Sequence, residues 1–143
     1  MALVSNRGGG ALSSRISPVR LMAAAGVAAS LAGSALGAQI TSNWLNAASG
    51  TWNVASNWST DPVFPNNAAD TYIAVINATG AAYTVTLNST VTIDELTLNS
   101  ADATLLHSGG TFNVGTANIQ NGVFRLSGGT VSGGTWNVTG GQF

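Results

Sequence analysis

Residues 108–114 read Ser-Gly-Gly-Thr-Phe-Asn-Val, and residues 132–138 read Ser-Gly-Gly-Thr-Trp-Asn-Val. A partial copy, Ser127-Gly-Gly-Thr-Val131, sits between them. A unit this short cannot bury an apolar face by itself, so it must stack on its neighbours. The units here are short strands rich in threonine and asparagine, punctuated by Gly-Gly. They predict a parallel β-solenoid with coils of about 20 residues. An antiparallel sandwich calls for longer strands with turns every ~8–12 residues.

The rest of the chain agrees with an all-β reading. Residues 71–76 are apolar on both sides and read as a buried strand. Tyr83-Thr-Val-Thr-Leu87 alternates strictly, placing Tyr83, Val85 and Leu87 on one face. Val91 and Ile93 keep that odd phase, whereas Leu96 and Leu98 take the even one. A one-residue slip inverts the faces of a strand, so Asp94-Glu95 marks a bulge or a corner. Further short strands are expected at 103–106, 111–114, 117–119, 123–126, 130–131 and 135–138. Ten of the twelve glycines after position 38 lie beyond position 108, between these strands, where tight turns need them. Upstream, Trp44, Trp52 and Trp58 stand close together among Asn, Ser and Pro. Short strands at 51–54 and 57–59 are expected there, followed by a loop over 61–67 that holds Pro62 and Pro65. The indoles are placed to cap the open end of the first coil, because a bare coil edge presents unpaired N–H and C=O groups.

The leader, positions 1–38, has a different composition. It holds Arg7, Arg15 and Arg20 and no acid, then an apolar, alanine-rich run over 21–35. A basic stretch, an apolar run and a small-residue exit read as a secretory signal helix, with cleavage after Gly37 or Ala38. The run is shorter than the ~20 apolar residues of a membrane span, so no stable span is expected after cleavage. Threonine first occurs at Thr41. The predicted organisation is therefore a signal peptide over 1–38, a tryptophan-rich cap segment over 39–80, and solenoid coils over 81–143.

After the leader, Asp61, Asp70, Asp94, Glu95 and Asp102 face a single base, Arg125, for a formal charge of −4. Lysine is absent. A chain so poor in cations cannot neutralise phosphates, which excludes nucleic acid as an expected partner. Cysteine is also absent, so the ladder bonds between coils replace the disulfides common in small exported domains.

The run Trp44-x7-Trp52-x4-Asn57-Trp58, then Pro65-x4-Asp70, Tyr83-Thr-Val-Thr-Leu87, Ile93-x2-Leu96-Thr-Leu98 and the Gly-Gly-Thr strands resembles a group of bacterial exported proteins. These are the autotransporter-associated β-strand repeat proteins and related proteins with a PEP-CTERM sorting tail. The resemblance covers most of residues 44–138. It implies a right-handed parallel β-solenoid with adhesive or matrix-building roles at the cell surface. The sequence stops at Gly141-Gln-Phe143 in mid-phrase, short of the membrane barrel or sorting tail of that group, so a truncated segment is expected.

Chemistry-bearing residues are few, and no catalysis, cofactor or metal is expected. His107 is the only histidine and ends a strand, where a solvated turn residue is the expected role. No Gly-x-Ser-x-Gly nucleophile motif is present. Asp94 and Glu95 are neighbours, which point to opposite faces of a strand. Glycoside hydrolysis needs two carboxyls ~5–10 Å apart, an arrangement open to Asp94 and Asp102 only if adjacent coils bring them together. Gly109-Gly110 and Gly128-Gly129 lack the aspartate of calcium-binding solenoid phrases. Trp44, Trp52 and Trp58 are the candidate glycan-contacting residues, since exposed indoles stack on sugars. The expected function is an exported structural or adhesive cell-surface segment, whose partner class is surface polysaccharide or extracellular matrix. Two alternatives stand beside it: a carbohydrate-binding module acting through those tryptophans, and the leading part of a β-helical polysaccharide-degrading enzyme.

Overall fold

The computed structural model describes residues 37–143; the expected signal helix lies outside the described residues. These contain eight strands and no α-helix. They are β1 (Gln39–Asn43), β2 (Gly50–Thr51), β3 (Thr71–Ile76), β4 (Tyr83–Leu87), β5 (Val91–His107), β6 (Thr111–Leu126), β7 (Thr130–Ser132) and β8 (Thr135–Val138). Every strand-to-strand pairing is parallel.

The pairings sort into three ladders. One runs β1, β3, the middle of β5, the middle of β6, then β8. A second runs β2, β4, then the ends of β5 and β6. The third joins the starts of β5 and β6 to β7. The chain therefore winds as a three-sided parallel β-solenoid of about three turns. Ile73 lies opposite Glu95, Glu95 opposite Thr116 and Thr116 opposite Thr135, so the coils shorten slightly toward the tail. The coil before them, from Thr41 to Ile73, is much longer, because the tryptophan-bearing loop is inserted in it.

The recurrence of the seven-residue phrase is not the coil period. Thr111 lies opposite Thr130 and Phe112 opposite Val131. The structural counterpart of 108–114 is thus the partial copy at 127–131, one coil on. The complete copy at 132–138 lies beyond it, where Thr135 faces Thr116 in a different ladder. Ser-Gly-Gly-Thr is a corner phrase used at two corners of the triangle, and sequence spacing alone does not distinguish a corner from a coil.

Separate short strands are expected through the tail half, yet residues 91–107 and 111–126 each run as one strand around corners. The phase slip at Asp94-Glu95 is a corner: both side chains are half-buried and turned outward, between buried Ile93 and Leu96. Two consecutive outward residues let the chain turn while the inward set stays apolar. In the cap segment, the expected strands at 51–54 and 57–59 are instead the short β2 and a 3-10 turn, Ala55–Asn57.

Inward residues stack on their counterparts one coil away. Ala74, Leu96, Ala117 and Trp136 form one column, and Ile76, Leu98, Ile119 and Val138 another. Val85, Leu105 and Phe124 form a third. Burying one such side chain contributes about 1.5–3 kcal/mol, against about 1 kcal/mol net for a ladder hydrogen bond. Apolar stacking therefore dominates the stability, and the ladder fixes the register.

Candidate functional site

The tryptophan cluster, the expected sugar platform, is interior. Trp52 and Trp58 are 0 % exposed and Trp44 is 3 % exposed. Each indole N–H also donates to a backbone carbonyl: Trp44 to Ala48 at 3.3 Å, Trp52 to Pro65 at 3.0 Å and Trp58 to Trp52 at 2.7 Å. The rings meet edge to face, Trp44 to Trp58 at 5.1 Å and Trp52 to Trp58 at 4.7 Å. A stacking sugar needs an open ring face, and none of these rings has one. This corrects the assignment of Trp44, Trp52 and Trp58 as glycan contacts. The inserted loop is folded around them because its own Asn, Ser and Pro residues cannot fill the coil end.

From this cap an aromatic series descends the interior. Trp52 meets Phe112 at 5.9 Å, Phe112 stacks with Phe124 at 6.4 Å, and Phe124 meets Trp136 at 4.9 Å and Phe143 at 5.2 Å. Phe143 packs on the end of this series while remaining 67 % exposed, and in the sequence it is marked only by the preceding Gly140-Gly141.

His107 is also interior, at 0 % exposed, rather than a solvated turn residue. It occupies the inward column between Leu87 and Leu126. Its Nε2 lies 2.9 Å from the Gly109 carbonyl and Phe112 packs beside it at 6.1 Å, while Nδ1 has no partner. The odd phase of Ala103, Leu105 and His107 carried this information; polarity argued against it and position prevailed. His107→Leu continues the leucine column and removes the orphaned nitrogen at the loss of one hydrogen bond. We expect a stabilisation of about 1 kcal/mol, read as a raised midpoint in chemical denaturation.

Asp94 and Asp102 each serve a separate corner of the coil. Asp94 accepts from Asn67 Nδ2 at 2.8 Å and Gln39 Nε2 at 3.3 Å. Hydrogen bonds from Thr71, Asn67 and Gln39 hold its carboxyl below the usual carboxylate range, Thr71 contributing most. Asp102, at the next corner of the same coil, accepts from the Gly80 N–H at 3.0 Å. Asp94 and Asp102 thus do not meet across adjacent coils; each ties its own corner to the coil above. Tyr83 Oη and Ser100 Oγ both donate to the Ala78 carbonyl, at 3.0 Å and 2.6 Å, and burial pushes the Tyr83 phenol up.

What repeats outside is polar and uncharged. Thr111 stands over Thr130, and Thr92, Asn113 and Ser132 form the adjoining column. Side-chain amides connect coils: Asn137 Nδ2 donates to Asn118 Oδ1 at 2.9 Å, and Asn118 Nδ2 to Glu95 Oε1 at 2.9 Å. Asn121 Nδ2 donates to Asn99 Oδ1 at 2.6 Å, and Asn113 Nδ2 to Thr92 Oγ1 at 3.2 Å. Among the described residues no cavity opens between the stacked columns. Comparison with protein-family models, curated proteins and solved structures finds no match to this chain.

Proposed function

We propose that this chain is an exported structural or adhesive segment of a cell surface. The observation that carries the reading is the contrast between interior and exterior. The inside is filled by apolar columns and an aromatic series, and the outside repeats uncharged threonine, asparagine and serine in register from coil to coil. Such a body has little to offer chemistry and much to offer contact. Parallel ladders make it stiff, and equally spaced polar groups present the same weak contact several times, so that strength comes from multiplicity. The basic and apolar leader supports export. The matching partner is a neutral, hydroxyl-rich polymer such as a surface polysaccharide, which the chain's scarcity of charge does not repel.

The test is expression of the full chain in a bacterial host, followed by fractionation and a retention assay on immobilised surface polysaccharide. We expect the chain in the external fraction, cleaved after Gly37 or Ala38, and retained on the polymer. Replacing Thr111 and Thr130 by Glu should reduce that retention. Accumulation inside the cell at full length sinks export, and equal retention of the parent and the double variant sinks adhesion through this face.

A further inference from the structure

The first coil begins on a polar clasp. Ala38 N–H donates to Asp70 Oδ1 at 2.9 Å, and Thr71 N–H donates to the Ala38 carbonyl at 2.9 Å. Gln39, the first residue of β1, lies opposite Thr71, and its Nε2 donates to Asp94 Oδ2 at 3.3 Å. Ala38 is thus tied through both its backbone groups to the residues that open β3. Among the described residues the only Lys or Arg is Arg125, which stands in another ladder, opposite Leu106. The sequence before the clasp offers two bonds for processing. Cleavage after Gly37 puts Ala35 and Gly37 at the two positions where an Ala-x-Ala-like site takes small side chains, whereas cleavage after Ala38 puts Leu36 at one of them.

We propose, resting on export as proposed above, that the Gly37–Ala38 bond is the processing site and that the Ala38 α-ammonium it releases pairs with Asp70 to lock the start of the first coil. A signal peptidase breaks the C–N bond with one water. The oxygen stays on Gly37 as carboxylate, and the protons pass to the Ala38 nitrogen, since an ordinary α-amino group is protonated at neutral pH. The nitrogen that gave Asp70 a neutral amide donor then gives it a charged one, and such bonds are roughly twice as strong as neutral ones. Cleavage one residue later removes both Ala38 contacts. It also exposes Gln39 as the terminus, whose free amine closes on its own side-chain amide with loss of ammonia and takes the Nε2 donor from Asp94. The small-residue pattern and the clasp therefore select the same bond.

Lysine is absent, so the processed chain carries one primary amine, and an acylating reagent reads the ion pair at a single position. The test is the full chain expressed in a bacterial host as the parent and as Asp70→Asn, which keeps an acceptor and removes the charge. The exported protein is read by N-terminal sequencing and intact mass, and its acylation rate is measured at low and high salt. We expect Ala38-Gln-Ile-Thr41 at the terminus of both. An opposite charge favours the protonated, unreactive amine, so the parent should acylate about 3- to 10-fold more slowly than Asp70→Asn at low salt. The two rates should converge at high salt. A terminus at Gln39 or elsewhere on exported protein overturns the proposal and leaves export standing, as do equal rates at low salt. A chain held inside the cell at full length overturns both. If Asp70→Asn loses its β-sheet spectrum, the parent's own rate, expected to rise with salt, decides alone.

Discussion

Trp52→Ala should cost about 3–5 kcal/mol, the range for deleting a fully buried large aromatic. A domain of this size has about 5–15 kcal/mol in total, so the loss is a large fraction of the whole. The loss has two sources. Trp52 is 0 % exposed and bridges the cap to the rest of the interior, touching Trp58 on one side and Phe112 on the other. Its indole N–H also satisfies the Pro65 carbonyl, and Pro65 is itself buried. Trp52→Phe keeps most of the packing and abandons only that carbonyl, so it should cost about 1–3 kcal/mol. Denaturant midpoints of the two variants separate the contributions. Equal losses would mean that the hydrogen bond, not the ring, holds the loop against the coil. A loss below about 1 kcal/mol for Trp52→Ala would mean that the cap is not part of the cooperative unit.

Those energies also explain which parts of the structure are legible in the sequence. In a strand that buries one side, the inward set is written in the alternation. Tyr83, Val85 and Leu87 therefore identify β4 and its buried face directly, and the slip at Asp94-Glu95 identifies a corner. The same alternation places His107 inward, although its polarity points the other way; in the structure, covalent continuity with Ala103 and Leu105 leaves it no other direction. The coil period is harder to see. Ser-Gly-Gly-Thr solves a local problem, the turning of a corner, and a triangular coil poses that problem more than once per turn. The copy that matches in space, 127–131, is the less complete one, because Val131 needs only to be apolar under Phe112. The tryptophans are legible as a cap, but the same residues suit a platform for sugar. What decides between the two is the path of residues 55–67, which the irregular spacing of Asn, Ser and Pro does not specify.

The corner phrase itself makes the sharpest claim on local physics. Its two glycines have unequal duties. Gly110 has a φ of 76° and Gly129, one coil later, a φ of 77°. Gly109 and Gly128, the first members of each pair, stay outside the left-handed region. A Cβ at Gly110 would overlap the Ser89 carbonyl of the coil above, whereas one at Gly109 would meet its nearest atom, the Asn88 oxygen, at 3.4 Å. Gly110→Ala should therefore cost about 1–2 kcal/mol for the left-handed backbone alone, with the backbone overlap added to it. Gly109→Ala should change stability by no more than about 0.5 kcal/mol. Chemical denaturation of the two variants side by side is the measurement, and it is internally controlled, because both add one methyl group to the same turn. Similar losses would show that the corner relaxes as a whole and that Gly-Gly is interchangeable within it. Unequal losses would show that the second glycine sets the turn. Before β8 both members of the pair are left-handed, Gly133 with a φ of 79° and Gly134 with a φ of 78°, so the requirement common to every copy is the left-handed second glycine, and that requirement, met at different corners, accounts for a phrase that repeats out of step with the coil.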